Sequence, residues 1–181
     1  MRAAIGNLGR CVAANRVGKR LYFIWFDTRW CPGDKIVVFR IDNDFGLGTL
    51  ISSPHVAWAW TLSSTLKADL NYTPTSAFET FPWPQTDDIR RDAVAETTRR
   101  LIARRSELCL ERQIGLTKLY NEVDEGAYRD LRELHDALDE AVAAAYGWPA
   151  SAAHDPHDSN RRLLELNRAI AAGEIEYRPF V

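Results

Sequence analysis

Cysteine is scarce. Cys11, Cys31 and Cys109 stand 20 and 78 positions apart, a spacing that fits neither a paired disulfide framework nor a CxxC metal motif. They read as reduced packing residues. Histidine is nearly as sparse, and none of His55, His135, His154 and His157 falls in an HExxH or His-Cys cluster, so no metal site is expected. His154 and His157 flank Asp155-Pro156, the composition of a polar turn between helices. No apolar run approaches the roughly 20 residues that span a bilayer; stretches such as Val56–Trp60 and Ala141–Tyr146 fall far short. The first residues carry one charge and no continuous apolar stretch, unlike a secretory signal, so the expectation is a cytoplasmic chain with no membrane partner. Also missing are GxxxxGK[ST], GxSxG, and a strand-borne carboxylate pair with a lysine placed as in a nuclease. Phe45-Gly-Leu-Gly lacks the third glycine and downstream acid of a dinucleotide loop and reads as a turn. His55 has Asp69 and Glu79 as its only proposed acid partners, and a lone histidine near a helix start is more commonly a structural hydrogen-bonding residue. No catalytic residue is assigned.

What is present is ordinary for a globular domain, with 46% hydrophobic and 27% charged residues in a chain of 181. The net charge of −2 conceals an asymmetry: residues 1–41 hold eight Lys or Arg against two Asp, a net of +6, and the remainder carries −8. A basic segment in an acidic chain is either an electrostatic footprint for phosphate or a plain solvated sheet face, and charge alone favours the second.

The pattern predicts an α+β chain: a small N-terminal β-sheet with a packed helix over residues 1–85, then an antiparallel helical region over 86–181. Leu21–Phe26 and Ile36–Ile41 are aromatic and β-branched runs of strand length, separated by the turn Pro32-Gly33-Asp34, and two adjacent antiparallel strands are the simplest arrangement. Cys11-Val-Ala-Ala adds a candidate short strand. Asp42–Gly48 reads as a loop, and a helix from about Pro54 to Leu66 follows Ser52-Ser53. Prolines make residues 73–84 an extended connector, whose Phe78, Phe81 and Trp83 must be buried. Helical periodicity then predicts helices over about 86–114, 128–146 and 160–172, the first with Ile89, Ala93, Thr97 and Leu101 on one stripe and Val94 and Leu108 alongside, and the tail 174–181 is extended.

Three stretches carry a family resemblance: Phe45-Gly-Leu-Gly-Thr-Leu-Ile-Ser-Ser-Pro-His-Val-Ala-Trp-Ala-Trp, Ser64–Thr75, and Phe78-Glu-Thr-Phe-Pro-Trp-Pro. They resemble the region that closes the target-recognition domain of the MmeI-like (type IIL) adenine-specific DNA methyltransferases. The matching residues are Gly48, Leu50, Ser52, His55, Trp58, Tyr72, Thr73, Thr75, Phe78, Phe81, Pro82 and Pro84. Leu116–Asn121 and His135–Trp148 also look like that family's helical C-terminal region. The resemblance implies a DNA-reading fragment of a site-specific methyltransferase or restriction-modification enzyme, with double-stranded DNA as partner. Arg16, Lys19, Arg20 and Arg29 are the candidate contacts, with Arg40 and Lys67 next, while the motif residues Gly48, Ser52, His55, Trp58, Tyr72, Thr73, Phe78, Phe81, Pro82 and Pro84 are expected to be scaffold. The family's Phe-x-Gly-x-Gly loop, which serves S-adenosylmethionine, and its Asn-Pro-Pro-Tyr motif do not occur here. No cofactor is therefore expected in this chain, and activity alone is not expected. A split gene, a truncated remnant and a cloned piece of a longer enzyme all fit. Two other readings stay open: a specificity subunit docking on a separately encoded methyltransferase, and an inactive remnant.

Overall fold

A computed structural model describes residues 5–178. The chain is α+β, with two small antiparallel sheets and a majority of helix. The first sheet has β1 (Arg10–Asn15) at its centre, flanked by β3 (Phe23–Asp27) and β4 (Ile36–Phe39). The expected pairing of the second and third of these does not form. Both lie antiparallel to β1, with Ala14 opposite Phe23 and Val37, so they run parallel to each other and the connection 28–35 returns along the sheet. Small side chains suit the central position: Cys11, Val12, Ala13 and Ala14 are all buried between the larger side chains of β3 and β4.

The second sheet joins β2 (Val17–Gly18) to the hairpin β5 (Ser64–Leu66) and β6 (Asp69–Asn71), in the order β2-β6-β5. The five residues 16–20 therefore bridge the two sheets. Arg16 donates its N–H to the Lys35 carbonyl at 2.8 Å and accepts from the Tyr72 N–H at 2.7 Å.

Residues 42–48, expected as a loop, instead open α1 (Asp44–Ile51), capped by the Asn43 side chain, which accepts from the Gly46 N–H at 2.8 Å. The two glycines serve close packing. A Cβ on Gly46 would sit 2.5 Å from an Ile41 methyl, and one on Gly48 only 2.0 Å from Thr98 Oγ1. Helix α2 (Ser53–Leu62) is shorter than expected because Ser64–Leu66 turns into strand, and the connector contains a single-turn helix, α3 (Pro74–Ala77).

Four longer elements follow: α4 (Asp88–Arg112), α5 (Leu116–Asp124), α6 (Arg129–Ala145) and, after a 3-10 turn at Ala150–His154, α7 (Pro156–Ala171). Asp155 caps α7 one turn earlier than periodicity suggested, accepting from the His157 N–H at 2.9 Å. The tail returns to the connector, where Tyr177 Oη accepts from the Trp83 N–H at 2.6 Å; residues 179–181 of the predicted extended tail lie outside the described ones.

Two cores result. The inner sheet face (Val12, Ala14, Phe23, Val37, Phe39) packs on Leu47, Leu50, Trp58, Tyr72, Phe81 and Trp83, and α7 contributes Leu163. The second core lies between α4, α5 and α6 and takes Phe45 from α1. Helix α1 thus belongs to both.

Candidate nucleic-acid interface

The register divides the six candidate cations. Arg16, Lys19 and Arg20 lie in the bridge between sheets. Gly18 pairs with Leu70, so Lys19 leaves its sheet at the end where the β5–β6 hairpin turns through Lys67. Lys67 has φ 59°, a left-handed conformation that costs a lysine of order 1 kcal/mol or more and would suit glycine. Arg29 and Arg40 stand at the other end of the first sheet, because Arg10 pairs with Asp27 and Val12 with Phe39.

The six also differ in how free their charge is. Arg29 folds back on Asp27, with Nε 3.0 Å from both carboxylate oxygens and Nη2 2.6 Å from one. That side-chain hydrogen bond holds the Asp27 carboxyl down at about 2. Arg20 grips Asp124 with Nη2 at 2.6 and 2.8 Å and lies 4.8 Å from the centre of the Tyr120 ring. Arg16, Lys19, Arg40 and Lys67 are exposed and form no salt bridge within the described residues. Four of the six can therefore meet phosphate without first breaking an ion pair.

Beneath the bridge lies a cavity of about 330 Å³ walled by β3, α2, α4 and α5. Lys19, Arg20 and Arg105 line it, with no carboxylate. Arg105 is the residue that sequence reading missed. It is 5% exposed and donates Nη2 to the Phe23 carbonyl at 3.0 Å. The signal was available: Val94, Thr98, Leu101, Arg105 and Leu108 are the buried positions of α4, spaced four and three apart, so an arginine occupies an apolar register. Ile89, expected on that stripe, is exposed instead.

Tyr120 Oη lies 2.8 Å from His135 Nε2 on the same wall. Burial pushes the imidazole down to about 4, and Arg105 and Arg20 push the same way, so His135 is neutral and shares a hydrogen bond with the phenol through Nε2. A neighbouring cleft of about 430 Å³ shares Arg20, Ser53, Tyr120 and His135 and adds Arg132 and three aspartates. One of these, Asp139, accepts from the Ser53 N–H at 2.7 Å and Oγ at 2.5 Å; burial nonetheless raises its carboxyl to about 6.

The motif residues stand elsewhere, around the first core. Gly48 abuts Thr98. Ser52 Oγ donates to the Thr49 carbonyl at 2.7 Å. His55 is fully buried: Nδ1–H donates to the Leu50 carbonyl at 2.9 Å and Nε2 accepts from Tyr72 Oη at 3.1 Å. Burial pushes it down to about 4, which fixes the neutral form, and both ring nitrogens are already engaged within the core. Trp58 and Phe81 pack against each other, Phe78 lies 4.7 Å from Phe39, and Thr73 Oγ1 donates to the Asn71 carbonyl at 3.1 Å. Pro82 accepts Tyr146 Oη at 2.7 Å, and Pro84 is buried beside it. Among the described residues, no helix is long and apolar enough to cross a membrane, and no group of three metal-ligating side chains forms.

No family model matches the sequence, and no curated protein matches it. One solved structure, that of the type IIL restriction-modification enzyme MmeI in complex with DNA, is similar at a TM-score of 0.81 and 18% identity. The similarity covers 90% of this chain and 21% of that one, so the chain spans about a fifth of the enzyme's length. At that identity the likeness shows the fold: this chain has the architecture of one segment of a DNA-bound restriction-modification enzyme.

Proposed function

We propose that the chain recognises double-stranded DNA, as the target-recognition segment of a site-specific adenine methyltransferase or restriction-modification enzyme whose methyl-transfer motifs it lacks. Its fold-level likeness to a DNA-bound enzyme over 90% of the chain carries the reading. The unpaired cations support it: Arg16 and Lys19 in the bridge between the sheets, and Lys67 in the hairpin turn at the end where Lys19 leaves its sheet. Phosphate contacts would fix register there, and side chains at the same loops would reach base edges. The buried motif residues act as scaffold: His55, Tyr72 and Phe81 tie α2 to the connector and so hold the bridge and hairpin in place. S-adenosylmethionine belongs to a catalytic part outside this chain.

The test is fluorescence anisotropy with a random duplex pool at low and high salt. Each neutralised phosphate releases counterions, so three contacts predict a slope of log K against log salt of roughly −2.7. A slope near zero with negligible affinity would leave an inactive remnant.

A second reading is favoured by the outer face of the first sheet. Ile24, Phe26, Ile36 and Val38 are only partly buried there, and a groove of about 520 Å³ runs past Trp25, Trp30 and Leu116. Trp30 is 70% exposed. A sheet with a solvated face alternates with polar residues, and this one does not. A separately encoded methyltransferase subunit seated on that face would make the chain a specificity subunit. Co-purification with such a subunit, lost on Phe26→Asp, is the expected result; a monodisperse monomer in its presence opposes this reading.

A further inference from the structure

The cavity under the bridge has a property that a surface DNA footprint does not require. Arg105 brings a full charge into the protein interior and forms no salt bridge within the described residues. Its hydrogen-bond partners, the Phe23 carbonyl and the Tyr120 phenol, are both neutral. A buried guanidinium is expensive without a counter-charge. An arginine at this position therefore points to an anion. The wall fits one. Lys19 and Arg20 line the same cavity with Arg105, and Asp124, which holds Arg20, belongs to the neighbouring cleft. Tyr22 and Trp60 supply flat apolar surface, and about 330 Å³ exceeds what a bare phosphate needs.

We propose that this cavity is a phosphate-binding pocket, with Arg105 as its fixed donor, Lys19 closing over the anion, Arg20 on the rim in its pair with Asp124, and room on the aromatic wall for the attached nucleoside. A guanidinium has five N–H donors in a planar fork, and phosphate oxygens match that fork with paired hydrogen bonds. Two sources share this chemistry: a phosphodiester of a bound duplex, which rests on the DNA reading above, and a free nucleotide, which does not.

The experiment follows the thermal midpoint and tryptophan fluorescence of the full chain. It is titrated with inorganic phosphate, with adenosine monophosphate and with sodium chloride at matched ionic strength, and separately with a 20-base-pair duplex. Arg105→Met keeps the volume and removes the charge, so it should fold. Lys19→Ala is a surface change that folds in any case. The expected result is a saturable stabilisation by phosphate or the nucleotide beyond that of chloride, weakened about tenfold or more in Arg105→Met and several-fold in Lys19→Ala. If only the duplex binds, and Arg105→Met weakens it about tenfold, the source is the DNA backbone. A purely structural arginine would shift the midpoint equally in chloride and phosphate and leave every affinity unchanged, which overturns the proposal. Salt-sensitive duplex binding that is identical in wild type and Arg105→Met would also overturn the pocket while leaving the DNA reading standing. Nucleotide binding without duplex binding would do the reverse.

Discussion

Replacing Gly48 by alanine should destabilise the chain although alanine is the better helix former. Glycine in a helix interior costs about 1 kcal/mol relative to alanine, so an unobstructed site would gain that much. Gly48 is obstructed. The added methyl would stand 2.0 Å from Thr98 Oγ1 and 3.2 Å from both Thr98 Cβ and a Leu138 methyl. Thr98 is fully buried, and its hydroxyl donates to the Val94 carbonyl at 2.7 Å, so rotating it away forfeits a satisfied hydrogen bond of about 1 kcal/mol. Overpacking a dense core adds about 1–3 kcal/mol. The net expectation is a loss of about 2 kcal/mol, or roughly 4–8 °C in Tm for a domain of this size. Urea denaturation measures it, and Thr98→Ala in the same background should recover 1–2 kcal/mol, giving a clear coupling in a double-mutant cycle. The consequence reaches the pocket, since Arg105 lies two turns from Thr98 on the same face of α4. A Gly48→Ala protein as stable as wild type would refute the close approach of α1 and α4.

Acidification should destabilise the fold before the exposed carboxylates titrate. His55 and His135 sit near 4, below their ordinary value of 6.5, so their contribution is present above about pH 6.5 and lost as pH falls towards 4. Asp139, raised to about 6, acts in the opposite sense, losing its contribution as pH rises through 6. With two groups against one, stability should fall by about 1.4 kcal/mol per pH unit between pH 6 and 4, and a flat profile there contradicts the burial of both imidazoles. Tyr72→Phe removes the donor to His55 Nε2 and should cost about 1–3 kcal/mol by chemical denaturation, with the histidine moving back towards its ordinary value by NMR titration. Lys67→Gly relieves a left-handed lysine and should raise stability by up to about 1 kcal/mol while weakening duplex binding; equal or lower stability would mean that the hairpin carries no strain.

Sequence legibility followed the physics of each signal. Helices α4, α6 and α7 were readable because a long apolar stripe repeats at helical spacing. The α+β class followed from them and from the aromatic strands. The pairing of β3 with β1 was not, because Cys11-Val-Ala-Ala is short and made of small residues, which are buried only by the larger side chains of the strands on either side. Helix α1 was hidden by its glycines. Asn43, Asp44, Gly46 and Gly48 have turn chemistry, but here the asparagine caps a helix and the glycines admit Ile41 and Thr98. Among the candidate contacts, sequence distance could not tell which arginines would meet a carboxylate: Asp124 is 104 positions from Arg20. Arg105 is one of many charges on a charged helix, and only its place in the register of Leu101 and Leu108 marks it as interior.

DNA recognition by this chain requires that the bridge and the hairpin tip meet phosphate together. The direct measurement is the salt dependence of duplex affinity for wild type, Lys19→Ala, Lys67→Ala and the double variant, with folding checked by circular dichroism. Each lysine should remove about one unit from the slope of log K against log salt, uniformly across duplex sequences, and the double variant about two. Slopes that match the wild type in all three variants would contradict it.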